Sequence, residues 1–384
     1  MTDEHPLIPR IRAALHEVHD PEIKRPITEL GMVDDISADD AGNAAVRILL
    51  TTEGCPLKGP LRKDVTDAAA AVEGVSNVTV ELGVMNDEQR SALKTMLRGG
   101  VPERTIQFAE PGNLTKVIAI ASGKGGVGKS SITVNLASAL AAMGRSVGLL
   151  DADIYGHSVP DMLGVGDARP TPVDDMIMPV PAGDLKVISV GMLKPSRDQV
   201  IAWRGPILDR ALTQLLADVY WGDLDYLILD LPPGTGDVAM SLGQKIPNSE
   251  VIVVTTPQQA AAEVAERAGT MAGIMQQRVI GVVENMAWLE TTCPHCDQTH
   301  KVELFGAGGG DKVANVLAER LGYDVPMLAQ IPIDTTLREG GDAGTPIVAS
   351  HPDHPAAQAL VELAKKVDGR KRGLTGKRLD LNPS

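Results

Sequence analysis

The chain has 384 residues, 43% hydrophobic and 22% charged, with 36 Lys and Arg against 50 Asp and Glu for a formal charge of −14. Such a length and composition describe a globular protein of two domains, or one large and one small, and the acidic balance disfavours general nucleic-acid binding because phosphates are repelled. No stretch approaches ~18 uninterrupted apolar residues, so no membrane span is expected.

The N-terminus, MTDEHPLIPRIRAALHEV, lacks the basic flank and apolar run of a signal peptide. Ile8, Ile11, Leu15 and Val18 fall on one helical face, which Asp20-Pro21-Glu22 ends. Residues 45–50 read as a strand, 56–72 as a helix and 75–82 as a second strand with alternating Val78, Val80 and Leu82. Residues 1–90 are therefore expected to form a small α+β domain. A helical segment and linker span 91–113, punctuated by Gly99-Gly100-Val101-Pro102 and Pro111-Gly112-Asn113.

From Lys116 the pattern changes. Short aliphatic runs at 117–120, 147–150, 226–229, 251–254 and 279–283 alternate with helical stretches. That alternation predicts an α/β fold with a doubly wound, mostly parallel sheet over 114–366. Three Trp, four Tyr and two Phe leave the core aliphatic, as suits a parallel sheet buried on both faces. The basic residues in the tail, 367–384, read as a solvated terminus.

Gly123-Lys124-Gly125-Gly126-Val127-Gly128-Lys129-Ser130 fits G-x-x-x-x-G-K-[ST], between a predicted strand and a helix that opens at Ser131. The glycines let backbone N–H groups converge on phosphate oxygens, and the helix N-terminus adds positive potential. Lys129 is expected on the β- and γ-phosphates of ATP, and the Ser130 hydroxyl on Mg²⁺. Asp230 follows an apolar run, where an acid holding a metal-bound water belongs. It opens the stiff loop Asp230-Leu231-Pro232-Pro233-Gly234-Thr235-Gly236-Asp237, in which Gly234 or Gly236 permits close approach to a γ-phosphate. Asp151 and Asp153 end another strand at the carboxyl edge of the sheet. Either can orient the attacking water, and the sequence leans only towards Asp153.

Lys124, after the first glycine, makes this a deviant Walker A. The segment resembles the dimeric ATPases that include nitrogenase iron protein, MinD and ParA, in which the extra lysine reaches the partner's nucleotide. The resemblance implies a nucleotide-sandwich homodimer that tightens on ATP and turns over slowly. Within that class, Asp151-Ala152-Asp153-Ile154-Tyr155-Gly156, the 230–237 loop, Glu284-Asn285-Met286, Cys293-Pro294-His295-Cys296 and Ile331-Pro332-Ile333-Asp334 look like the Mrp/ApbC iron–sulfur cluster carriers. His157 departs from the proline usual there. The resemblance also implies that Asn285 and the segment at Pro332 contact adenine. It covers residues 1–90 as well, which look like the iron–sulfur-assembly domain fused ahead of such carriers and include Thr51-Thr52-Glu53-Gly54-Cys55-Pro56.

Three cysteines, Cys55, Cys293 and Cys296, make a poor disulfide framework and point to a reducing cytoplasm. Cys293 and Cys296 form C-x-x-C in what reads as a polar loop, and two thiolates per chain fall short of a four-ligand site. A symmetric dimer supplies four, which agrees with the resemblance, where the two pairs bridge one [4Fe–4S] cluster. On spacing alone zinc leads, with His295 or His300 assisting; with the resemblance, iron–sulfur leads. Cys55, before a predicted helix, reads equally as a stabilised thiolate that binds metal or as a buried inert cysteine. The expected function is an ATP-dependent carrier that receives a cluster from upstream assembly factors and passes it to recipient apoproteins, with no nucleic-acid or membrane partner. The alternatives are a MinD/ParA-like positioning or partition ATPase and a zinc-stapled, ATP-dependent scaffold.

Overall fold

The computed structural model describes residues 5–51, 57–97, 105–153, 156–174, 176–194 and 205–370. The chain forms two compact units, one from 1–104, 170–181 and 218–222, the other from 105–169, 182–217 and 223–384. The sequence reading gave the small module residues 1–90 alone. The hairpin at 171–178 joins it because it carries Val173, Met176 and Met178, which the module buries; its three-residue strands are too short for a periodicity to show in sequence.

The first unit starts with α1 (Leu7–Leu15), whose Leu7, Ile11 and Leu15 recur every four residues and are buried. Then come β1 (Val33–Ala38), β2 (Asn43–Leu50), α2 (Lys58–Ala70), β3 (Asn77–Val84) and α3 (Asp87–Leu97). β1 pairs antiparallel with β2, and β3 pairs parallel to it. The parallel pair requires a crossover, which α2 supplies. β2 alternates, with Ala44, Val46 and Ile48 inward and Ala45 and Arg47 outward.

The second unit takes up the chain at β4 (Lys116–Ser122), α4 (Lys129–Ala142), β5 (Val147–Asp151) and α5 (Val159–Met162). The chain then contributes β6 (Thr171–Val173) and β7 (Met176–Met178) to the first unit, where Val173, Met176 and Met178 join one core with Ile11, Leu15, Val46 and Val65. It continues through β8 (Val180–Ala182), β9 (Leu185–Ser189), α6 (Gly205–Ala217), β10 (Tyr226–Asp230), α7 (Asp237–Lys245), β11 (Glu250–Thr255), α8 (Gln259–Ile274), β12 (Arg278–Thr292), β13 (Thr299–Val302), α9 (Gly309–Leu321), β14 (Met327–Ile333), α10 (Thr335–Asp342), α11 (Ile347–Ser350) and α12 (Pro355–Asp368). The strand order is β13-β12-β11-β4-β10-β5-β9-β8, with β14 also on β12. Neighbours from β9 across to β12, and β14, are parallel; β13 is antiparallel to β12. β5 and β10 are buried at every position, so they read as unbroken apolar runs. The doubly wound α/β fold expected from sequence is thus present. No helix among the described residues is long and apolar enough to cross a membrane.

The first unit contains a pH-sensitive group. Glu22 is buried, and the Thr171 hydroxyl donates to its Oε1 at 2.8 Å. Burial pushes its carboxyl up to about 7, with the hydroxyl opposing and the nearby Asp20 assisting. Between the ordinary 4.5 and about 7, the folded chain holds a proton that the unfolded chain has released. Stability therefore falls as pH rises through that window, by up to about 1.4 kcal/mol per pH unit from this group. Glu22→Gln should remove this slope and leave the variant the less pH-sensitive protein, as urea midpoints measured at either end of the window will read. Equal slopes in both proteins would count against it.

Candidate nucleotide site and cysteine hairpin

The carboxyl ends of β4, β10 and β5 lie side by side, and Asp230 is in register with both Ile120 and Asp151. β4 ends at Ser122, and the glycine loop turns from it into α4, with Gly126 at φ 81° and Gly128 at φ 82°. At those angles a side chain is strained. Gly123 is required for another reason: a Cβ there would lie 2.3 Å from the Val264 carbonyl carbon and 2.4 Å from the Ala265 nitrogen. The loop passes directly over the backbone of α8.

Lys129 and Ser130 open α4 and meet the end of β10. The Lys129 ammonium is 2.7 Å from Asp230 Oδ2, and the Ser130 hydroxyl donates to the same oxygen at 2.6 Å. The Thr133 hydroxyl donates to Asp230 Oδ1 at 2.6 Å. Thr133 was missed from sequence; its signal is a hydroxyl one helical turn beyond Lys129 and Ser130, on the same face of α4. The two oxygen donors Ser130 and Asp230 suit a hard cation such as Mg²⁺.

Asp151 and Asp153 separate clearly. Asp151 is fully buried; its Oδ1 accepts the Asp153 backbone N–H at 3.0 Å and its Oδ2 the Ser189 hydroxyl at 3.0 Å. Burial first, and the Asp230 charge second, hold its carboxyl well above the usual carboxylate range. Asp153 instead lines the cleft over the glycine loop, together with Lys124, Gly125, Ser131 and Pro233. The loop after β10 is tied to β4 by Gly234 N–H donating to the Ser122 carbonyl at 2.8 Å, with Gly234 at φ 96°.

On the other side of β4, the Asn285 amide donates to the Val127 carbonyl at 2.9 Å, while its buried Oδ1 has no hydrogen-bond partner among the described residues. That amide occupies the space a Cβ on Gly128 would need, 2.1 Å away. Asn285 is in register with Ile331, so β12 and β14 bring Asn285 and Pro332 together.

The cysteines stand apart from this cleft, further along β12. They lie in the polar loop expected from sequence, which forms the tip of a β-hairpin. β12 runs on past Asn285 to Thr292, at ~3.3 Å per residue, and pairs there with β13. The strand kinks on the way: Met286 has φ 58°, and the pairing with β14 shifts register between Asn285 and Leu289. Cys293 N–H donates to the Gln298 carbonyl at 2.9 Å, and Asp297 N–H, from a residue at φ 53°, to the Cys293 carbonyl at 3.0 Å. The backbone N–H groups of His295 and Cys296 donate to the Cys293 sulfur and hold its thiol below the usual range. Cys293 is half-buried and Cys296 exposed. Cys55 lies outside the described residues.

Comparison with known proteins adds the following. A family model described as NUBPL iron-transfer P-loop NTPase matches residues 113–368, and one described as iron-sulfur cluster assembly protein matches residues 9–82. The "iron-sulfur cluster carrier protein" of Mycobacterium bovis is 54% identical over 97% of this chain and 96% of that protein. The protein of the same name from Bacillus subtilis is 36% identical over 94% of this chain and 97% of that one. The solved structure of a nucleotide-binding protein with ADP from Archaeoglobus fulgidus is 36% identical, covering 60% of this chain and 86% of that chain, at a TM-score of 0.49.

Proposed function

This chain belongs to the NUBPL iron-transfer P-loop NTPase family, and from that premise we propose that it is an ATP-dependent iron–sulfur cluster carrier, working as a homodimer that delivers its cluster to recipient apoproteins. The observation that carries the reading is β12. One strand bears Asn285, bonded to the glycine loop, and ends in the cysteine hairpin. A displacement of the loop on nucleotide binding has a direct mechanical route to the thiolates, through the kink at Met286.

At the cleft, Lys129 turns from Asp230 to the β- and γ-phosphates, and Ser130 with Asp230 would hold Mg²⁺, which would supply neutralisation of the phosphate charge. Asp153 orients the attacking water. Asp151 keeps Asp153 in place through the N–H it accepts. Lys124 reaches the partner subunit's nucleotide, so hydrolysis opens the dimer. Asn285, whose Oδ1 has no partner among the described residues, and Pro332 receive the adenine. Two Cys293–Cys296 pairs face each other across the two-fold axis and grip one [4Fe–4S] cluster.

The test is iron, acid-labile sulfide and zinc after anaerobic purification and reconstitution, on wild type and on the Cys293→Ala/Cys296→Ala double variant. Wild type should carry about four iron and four sulfide per two chains, and the variant none. The variant should retain slow ATP hydrolysis, since its cysteines lie outside the cleft. Zinc alone in wild type, or equal iron in both proteins, would leave an ATP-driven scaffold in place of a carrier.

A further inference from the structure

The tip of the β12–β13 hairpin holds more than the two thiols. Register places His300 opposite Thr291, and Thr299 opposite Thr292, so the strand that returns from the cysteines carries an imidazole back beside them. One ligand atom each from Cys293, Cys296 and His300 lies within 4.8 Å of the other two. A tetrahedral ion with bonds of about 2.0–2.3 Å needs donors roughly 3.5–3.8 Å apart, so small side-chain rotations close the set. His295, between the cysteines in sequence, does not join it among the described residues. His300 is exposed, so packing in a core does not account for its position.

We propose that His300 is a third protein ligand, and that one chain by itself holds a single divalent ion of the Zn²⁺ or Fe²⁺ class on Cys293 Sγ, Cys296 Sγ and the His300 ring. This rests on the carrier reading only in taking the cysteine pair as a metal site. Two thiolates balance the charge of the ion, and the imidazole completes three of four positions. The fourth is open to water or to an incoming thiolate, which makes the ion exchangeable. A single chain then binds metal without its partner, whereas a bridging cluster requires both.

The probe is Co²⁺, titrated anaerobically into the full-length, nucleotide-free chain. The expected result is one Co²⁺ per chain with tetrahedral d–d bands and a thiolate charge-transfer band. His300→Ala should weaken binding at least about tenfold, since losing even an outer partner of a ligand costs 10–100-fold, and should shift the d–d bands. His300→Cys should restore tight binding with stronger charge transfer. His295→Ala should change neither affinity nor spectrum. One Co²⁺ per two chains, or an affinity and spectrum unmoved by His300→Ala, overturns the proposal. The iron and sulfide content of His300→Ala is measured in parallel. If wild type gains no cluster while the Co²⁺ results hold, the carrier reading fails and the three-ligand site stands; if wild type and His300→Ala both load fully while Co²⁺ ignores His300, the reverse is true.

Discussion

Lys129→Ala should abolish ATP hydrolysis and also destabilise the protein in the absence of nucleotide. The second effect follows from burial. Lys129 and Asp230 side chains are 6% and 1% exposed, with 2.7 Å between ammonium and carboxylate. Removing one partner of a buried pair costs about 3–5 kcal/mol, because the remaining charge is left uncompensated. The Ser130 and Thr133 hydroxyls would still donate to Asp230, but neither carries charge. The first effect follows from chemistry, since the loss of one positioned charge stabiliser costs at least about 10²-fold in rate. Thermal unfolding with and without ATP separates the two. Wild type at 100 times its Kd gains about 2.7 kcal/mol from ligand, whereas the variant should start lower and gain little. Adding Asp230→Asn to Lys129→Ala should recover much of the stability and none of the hydrolysis. A single variant as stable as wild type, or one still stabilised by ATP, contradicts this account.

Gly123→Ala should be nearly as damaging, for a reason unrelated to charge. Its Cβ would sit 2.3–2.6 Å from backbone atoms of Val264 and Ala265. These belong to α8, whose Ala261, Ala262, Ala265 and Ala268 are buried, so the helix has no room to withdraw. Overpacking costs about 1–3 kcal/mol, and against backbone that cannot withdraw the upper end is expected. Gly125→Ala is the control. Its nearest neighbour would be Pro233 Cγ at 3.9 Å, an ordinary contact. Gly125→Ala should unfold within about 0.5 kcal/mol of wild type and lose only nucleotide affinity, because its methyl intrudes on the cleft. If the two variants unfold alike, close packing under the loop is not what requires Gly123.

The contrast shows which parts of the site were legible in the sequence. The glycine loop could be read because its demands are local: positive φ, a helix start, and a lysine and hydroxyl at fixed spacing. Asp230 was legible as the acid after an apolar run, since a parallel strand buried on both faces leaves no other pattern. Thr133 was not read, because its one mark, a hydroxyl one turn beyond Lys129 and Ser130, gains meaning only once β10 is placed beside α4. Asp151 and Asp153 both end one strand, and what separates them is burial, which depends on packing against Ser189 and Asp230. The polar loop that carries the cysteines was legible, but the strands that frame it were not, because β12 from Leu289 onward is largely exposed and so lacks the alternation that identifies a strand. β1 escaped notice for a similar cause: in Val-Asp-Asp-Ile-Ser-Ala only Ile36 is buried.

The placement of β6 and β7 bears on how the chain is made. Val173, Met176 and Met178 belong to the first unit's core, yet they are encoded some 80 residues after α3 ends at Leu97. The last contributing stretch, 218–222, comes later still. At about 5–20 residues per second, the ribosome takes on the order of ten seconds to deliver them. For that interval the amino-terminal part waits with Leu7, Ile11, Val65 and their neighbours short of apolar cover, while most of the nucleotide-binding sheet, β8 to β14, has yet to be synthesised. The nascent chain is then a candidate for chaperone capture, and slowed translation between codons 97 and 178 would lengthen the exposure.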